Sequence, residues 1–125
     1  MTRFQFQLVA GGIFAASWMG TALAQGDAGH GKFVFKACAA CHAETAETKV
    51  GPGLNEVFGR TAGTVHGFRY SPAMAAWGQT WDDQTLDAFL AAPVSTVPGT
   101  TMIGGLPNAQ DRADVIAYLK TLSGE

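Results

Sequence analysis

Two thiols and an imidazole fall within five residues, Cys38-Ala39-Ala40-Cys41-His42, and no other stretch of the chain concentrates as much chemistry. Cysteines three apart share one side of a helical turn, and the CxxCH spacing is the signature of c-type haem attachment. Each sulfur can form a thioether to a vinyl group, and the imidazole that follows can point a ring nitrogen at the iron. The competing assignments are a disulfide or half a zinc site. Zinc wants four ligands, and these are the only two cysteines. A thioredoxin-like pair belongs beside a βαβ pattern, which the chain does not show. One haem c, covalent through Cys38 and Cys41, is the expected cofactor.

His42 is the proximal ligand that the motif itself places. For the sixth position the candidates are His30, His66 and Met102. The two histidines stand among glycines and polar neighbours and read as solvated loop residues. Met102 stands in Pro98-Gly99-Thr100-Thr101-Met102, which cannot be regular helix and can lay a thioether against a metal. Met74 and Met19 read as apolar filling. A His/Met pair raises the reduction potential, and it closes both axial positions, which suits an electron carrier and leaves no room for substrate. His42 also needs its other ring N–H satisfied, and Pro52 offers a carbonyl with no competing N–H. Arg60, Tyr70 and Trp81 are donors able to bond haem propionates, with aromatic packing as the alternative role for Tyr70 and Trp81.

The elements that must position these groups are helical. Asp27 sits as an N-cap, and a short helix to about Ala39 is expected to turn Phe33, Val34 and Ala37 toward a core. Gly29 and Gly31 weaken it, and Gly31 would let another backbone approach closely. Residues 42–53 read as loop, and Leu54 to Phe58 as one helical turn. Ser71-Pro72 looks like an N-cap with proline at the first helical position. Thr80-Trp81-Asp82-Asp83 resembles a capping box, followed by a helix with a Leu86, Phe89, Leu90 stripe that Pro93 ends. Val94 to Pro107 reads as extended loop. Asn108 caps a last helix with Val115, Ile116, Leu119 and Leu122 on one face and Gly124 as its stop. No segment alternates with period two, so the fold class is all-α with long loops, which a prosthetic group can organise.

Residues 1–24 read as a targeting segment: Arg3, an uncharged run, then Ala22-Leu23-Ala24 in small-x-small form. This divides the chain into a signal peptide, 1–24, and one domain, 25–125, exported to the periplasm. An uncleaved, membrane-anchored form is the alternative, since the uncharged stretch from Leu8 to Ala24 nears spanning length. The domain is about 100 residues, whose core alone would be marginal. The whole chain carries a net charge of −2, one unit more negative without Arg3, which excludes the basic face that nucleic acid requires.

With those residues in place, the chain resembles class I cytochrome c, the bacterial and mitochondrial monohaem carriers. The resemblance runs from about Gly26 to the end. It is carried by Gly31, Phe35, the Cys38–His42 motif, Gly51-Pro52-Gly53-Leu54, Phe58-Gly59-Arg60, Gly67, Tyr70-Ser71, Trp81, Pro93, Pro98-Gly99, Met102 and the run from Asp114 to Leu119. It implies a cytochrome c fold: three main helices plus short helical turns and long loops wrapped around one covalent haem. The first and last helices would cross where Gly31 and Phe35 meet Val115 and Tyr118. It implies His42 and Met102 as axial ligands, Pro52 holding His42, and Arg60, Tyr70 and Trp81 at the propionates, with Thr100 near the Met102 sulfur. It also implies a monomer that is no enzyme and works with a donor dehydrogenase or reductase and an acceptor oxidase or reductase. A membrane-tethered subunit and a haem enzyme or gas sensor with an open sixth site are the alternatives. The chain departs from the mitochondrial pattern where lysines ring the haem edge: here Ala37, Val94, Ser95 and Thr101 stand, with Lys32, Lys36 and Lys49 left. Gly104, Met74 and Phe89 replace an aromatic, an asparagine and a tyrosine, which implies a shifted potential.

Overall fold

The computed structural model describes residues 25–124, and the targeting segment with Met19 lies outside them. Five helices follow one another: α1 (Ala28–Val34), α2 (Pro72–Trp77), α3 (Asp83–Ala91), α4 (Pro93–Thr96) and α5 (Ala109–Lys120). A 3₁₀ turn, Phe35–Ala37, continues α1, and one isolated bridge joins Thr61 to Thr80. Among the described residues there is no strand, and no helix is long and apolar enough to cross a membrane. The all-α expectation holds.

All but α4 begin where a side chain satisfies their first N–H groups. Asp27 accepts from the N–H groups of Gly29 and His30, Ser71 from Met74, and Asn108 from Asp111. Asp82 and Thr85 close a reciprocal capping box at α3. The hydrogen bonds Asp82 receives hold its carboxyl below the usual carboxylate range.

The core forms where α1, α3 and α5 meet, around Phe35, Leu86, Phe89, Leu90, Val115, Ile116 and Leu119. Here the first helix differs from expectation. Phe33 is 63% exposed and Ala37 is exposed, Val34 is half-buried, and Gly31 and Phe35 are the buried residues. The reason is the crossing with α5. A side chain at Gly31 would overlap the carbonyl of Asp114 and come within 2.9 Å of Tyr118 Cβ. The face carrying Gly31 therefore turns inward, and Phe35, four residues on, follows it. Phe35 meets Tyr118 edge-on at 5.5 Å. Gly29 has no comparable packing role; a Cβ there would meet only the Asp27 carboxylate.

Asp114 ties the crossing together. It is buried. Its Oδ1 accepts from the Asp27 N–H at 2.7 Å and Gln110 Nε2 at 2.8 Å, and its Oδ2 lies 2.7 Å from His30 Nδ1. His30 is thus a helix residue paired across the interface rather than a free loop histidine. The hydrogen bonds from Asp27 and Gln110 outweigh burial and hold the Asp114 carboxyl below its ordinary value.

Three local expectations are corrected. Leu54 to Phe58 forms tight turns rather than a helical turn, with Glu56 at φ +53°. Val94 to Pro107 is not all extended, because Pro93 opens the one-turn α4, closed by Val97 N–H on the Pro93 carbonyl. The last helix stops at Lys120, four residues short of Gly124; Thr121 caps it and donates its hydroxyl to the Tyr118 carbonyl.

Two outcomes follow. Gly31→Ala, which inserts a methyl group into a backbone crossing, is expected to cost about 3 kcal/mol in urea unfolding. Asp114 has a lowered folded pKa, so its stabilisation is complete above the unfolded carboxylate pKa and fades as pH falls through the folded value. The stability gap between wild type and Asp114→Asn should therefore be full at pH 7 and shrink below about pH 4.

Candidate functional site

α1 and its 3₁₀ extension deliver Cys38 to the edge of the core. The chain then makes a single turn: the N–H groups of Cys41 and His42 both bond the Cys38 carbonyl at 3.0 Å. Cys38 is half-buried and Cys41 is exposed. Burial, and then the neighbouring Cys41, push the Cys38 thiol up.

His42 is held from the far side of the next loop. Its Nδ1 donates to the Pro52 carbonyl at 2.8 Å, which leaves Nε2 free to serve as a ligand. Gly51 makes this contact geometrically available: a Cβ there would stand 2.7 Å from His42 Nδ1. The loop is closed by Gly51 N–H on the Cys41 carbonyl at 2.7 Å and Leu54 N–H on Ala43 at 2.9 Å.

Arg60, Trp81 and Tyr70 are gathered on the next stretch. Gly59 N–H bonds the Trp81 carbonyl and Trp81 N–H bonds the Arg60 carbonyl, at 2.7 and 2.9 Å. Arg60 spends Nη1 on the Asn55 carbonyl and Nη2 on Gly53, while its buried Nε has no partner. Burial draws its pKa down, with Tyr70 and Glu56 opposing. The Tyr70 hydroxyl accepts the Val65 N–H at 3.1 Å. Trp81 is buried beside Trp77 and Phe89, each 5.1 Å away, so its ring also takes the packing role.

Met102 is half-buried against the core edge, on the loop after α4. Its N–H bonds Thr100 Oγ1 at 3.3 Å, so Thr100 shapes the loop through the backbone. No hydrogen bond among the described residues joins it to the Cys38–His42 turn. Met74 is core filling, as expected, and His66 is exposed.

Arg112 escaped the sequence reading, as did the polar partner of Tyr118, whose place at the helix crossing the resemblance implied. Arg112 donates to Asp87 at 2.6 Å and to the Leu106 and Pro107 carbonyls at 2.8 and 2.9 Å, pinning the far end of the Met102 loop to α3 and α5. Tyr118 donates its hydroxyl to Glu44, two residues past His42; burial and that carboxylate push its pKa up to about 12. Both are polar residues in a helical pattern whose partners are remote in sequence, so no local signal marks them.

The donor set fits a covalent haem: two thiols on one turn, an imidazole with its second nitrogen committed, a soft thioether, and a buried guanidinium N–H awaiting an acceptor. A helical fold with this site defines a class of protein, the c-type haem carriers. The comparisons narrow it. A family model described as cytochrome c matches residues 28–123. A cytochrome c2 of Rhodomicrobium vannielii is 50% identical over 114 residues, covering 89% of this chain and 91% of that one. A cytochrome c2 of Blastochloris viridis is 40% identical over 122 residues, covering 95% of each. A solved structure, cytochrome cH from Methylobacterium extorquens, superposes with a TM-score of 0.74 at 42% identity, covering 77% of this chain and 99% of that one. The chain belongs to the cytochrome c family. It carries one covalent haem c and transfers electrons between redox partners; it is not an enzyme.

Gly51→Ala is expected to displace the His42 ring and lose its bond to Pro52. Loss of the slowly exchanging His42 Nδ1–H in proton NMR of the haem-loaded protein checks this, with about 2 kcal/mol of lost stability.

Proposed function

We propose that this chain shuttles single electrons between a donor dehydrogenase or reductase and an acceptor oxidase or reductase, with His42 and Met102 as the axial ligands of its iron. The observation that carries the assignment is the His42 Nδ1 bond to the Pro52 carbonyl, because it fixes the imidazole's tautomer and aims Nε2. When bound, the haem supplies a one-electron Fe(II)/Fe(III) couple. Everything else falls to the chain. Cys38 and Cys41 would anchor the group, and Met102 would offer its thioether sulfur to the iron as the second protein ligand beside His42. Arg60 offers its orphaned Nε–H, Tyr70 its hydroxyl hydrogen and Trp81 its indole N–H to the propionates, which would otherwise be costly to bury.

The carrier works as a monomer in the periplasm, exported by residues 1–24 and beginning at Gln25. That placement suits a carrier whose thiols are consumed outside the cytoplasm. Its partner-facing surface is less charged than a lysine-ringed one: Val94 is 60% and Ile103 89% exposed on the Met102 side.

The test is redox titration of the haem-loaded protein with and without carbon monoxide. Wild type should show a high potential and no change with the gas. Met102→Ala should lower the potential by on the order of 100 mV and bind the gas rapidly. A wild-type protein that binds it as readily would overturn the assignment of Met102.

A further inference from the structure

We propose that the α1–α5 crossing carries a second metal site, for a late first-row divalent cation and zinc above all, formed by His30, Asp111 and Asp114. One ligand atom from each residue lies within 4.8 Å of the other two. Around zinc, with bonds of about 2.0–2.2 Å, neighbouring ligands stand roughly 3.4 Å apart. The adjustment this asks is on the order of an ångström, within reach of an exposed His30 and a half-exposed Asp111.

Asp114 is already oriented for the task. Its Oδ1 is held by the Asp27 N–H and Gln110 Nε2, so Oδ2 alone is presented to His30, 2.7 Å away. This is the support that a ligating carboxylate needs, supplied here by two N–H donors. Zinc would take the place of the hydrogen between Nδ1 and Oδ2, the displaced proton moving to Nε2 or to solvent. Water would complete the shell.

The surroundings favour a cation. Asp27, at the start of α1, adds a third carboxylate beside His30, whose N–H its Oδ1 accepts at 3.2 Å. His30 and Asp111 open onto a surface groove of about 390 Å³. Lys36 also lines it, but its ammonium is drawn over the Phe33 ring, 4.8 Å from the centroid. One imidazole with carboxylates selects zinc, copper or nickel over magnesium and calcium, which prefer all-oxygen shells. The site shares no residue with the haem-binding groups.

Equilibrium dialysis of the haem-loaded protein against zinc chloride, with excess magnesium chloride present, tests the proposal. One zinc per chain is expected. His30→Gln and Asp111→Asn should each weaken it tenfold or more, and His66→Gln should leave it unchanged. Zinc should also raise the thermal midpoint of the far-ultraviolet helix signal in wild type and not in His30→Gln. If His30→Gln fails to fold, Asp111→Asn, at a surface carboxylate, decides alone. Binding that magnesium displaces, that survives both substitutions, or that disappears in His66→Gln would overturn the proposal.

Discussion

The backbone of α1 lies against the backbone of α5 so closely that Gly31 leaves no room for a side chain beside the Asp114 carbonyl. Much of the molecule follows from that contact. It fixes which face of α1 turns inward, seats Phe35 edge-on against Tyr118, and brings the Asp27 N–H and His30 to one buried carboxylate. The chain leaves this junction directly into the Cys38–His42 turn. The direction of both thiols and the imidazole is therefore set by a helix that contributes no ligand. Close-packed interiors transmit displacement instead of absorbing it, so a shift at the crossing would be felt at the Cys38–His42 turn.

The loops are organised differently. Between His42 and Tyr70 the backbone forms one isolated bridge and no regular element. Its carbonyls are held by the side chains of the site itself: Pro52 by His42, Gly53 and Asn55 by Arg60. Site and loop thus order each other. The Arg60 Nε left over is the one buried side-chain nitrogen or oxygen among the described residues without a partner. Such a group is rare and calls for an explanation. The propionate contact proposed for Arg60 would supply one, and a bound prosthetic group would add to a core that is small for so much irregular chain.

What could be read in advance was local. The caps at Asp27, Ser71 and Asn108 lie within three residues of the N–H groups they satisfy, and the haem-attachment spacing is contained in five residues; the capping box expected over Thr80–Asp83 forms instead from Asp82 and Thr85. The outcome at Phe33 was not local, because the choice between Phe33 and Phe35 is made by α5, far along the chain. Asp114 entered only as the start of a run that carries the resemblance, and its role shows once Asp27, His30 and Gln110 converge on it. Arg112 and Tyr118 are of the same kind, each meaningful only once Leu106, Asp87 or Glu44 is beside it. Gly124 misled because a glycine near a helix end is a good but not obligatory stop; a hydroxyl bond from Thr121 ended α5 earlier.

The Asp27–Asp114 bond spans 87 positions of sequence. Contacts this remote form only when α1 and α5 dock, so loop closure must come before they can help. Until docking, the inner face of α1 has nothing to pack on, and the turn that bears both thiols lacks its support.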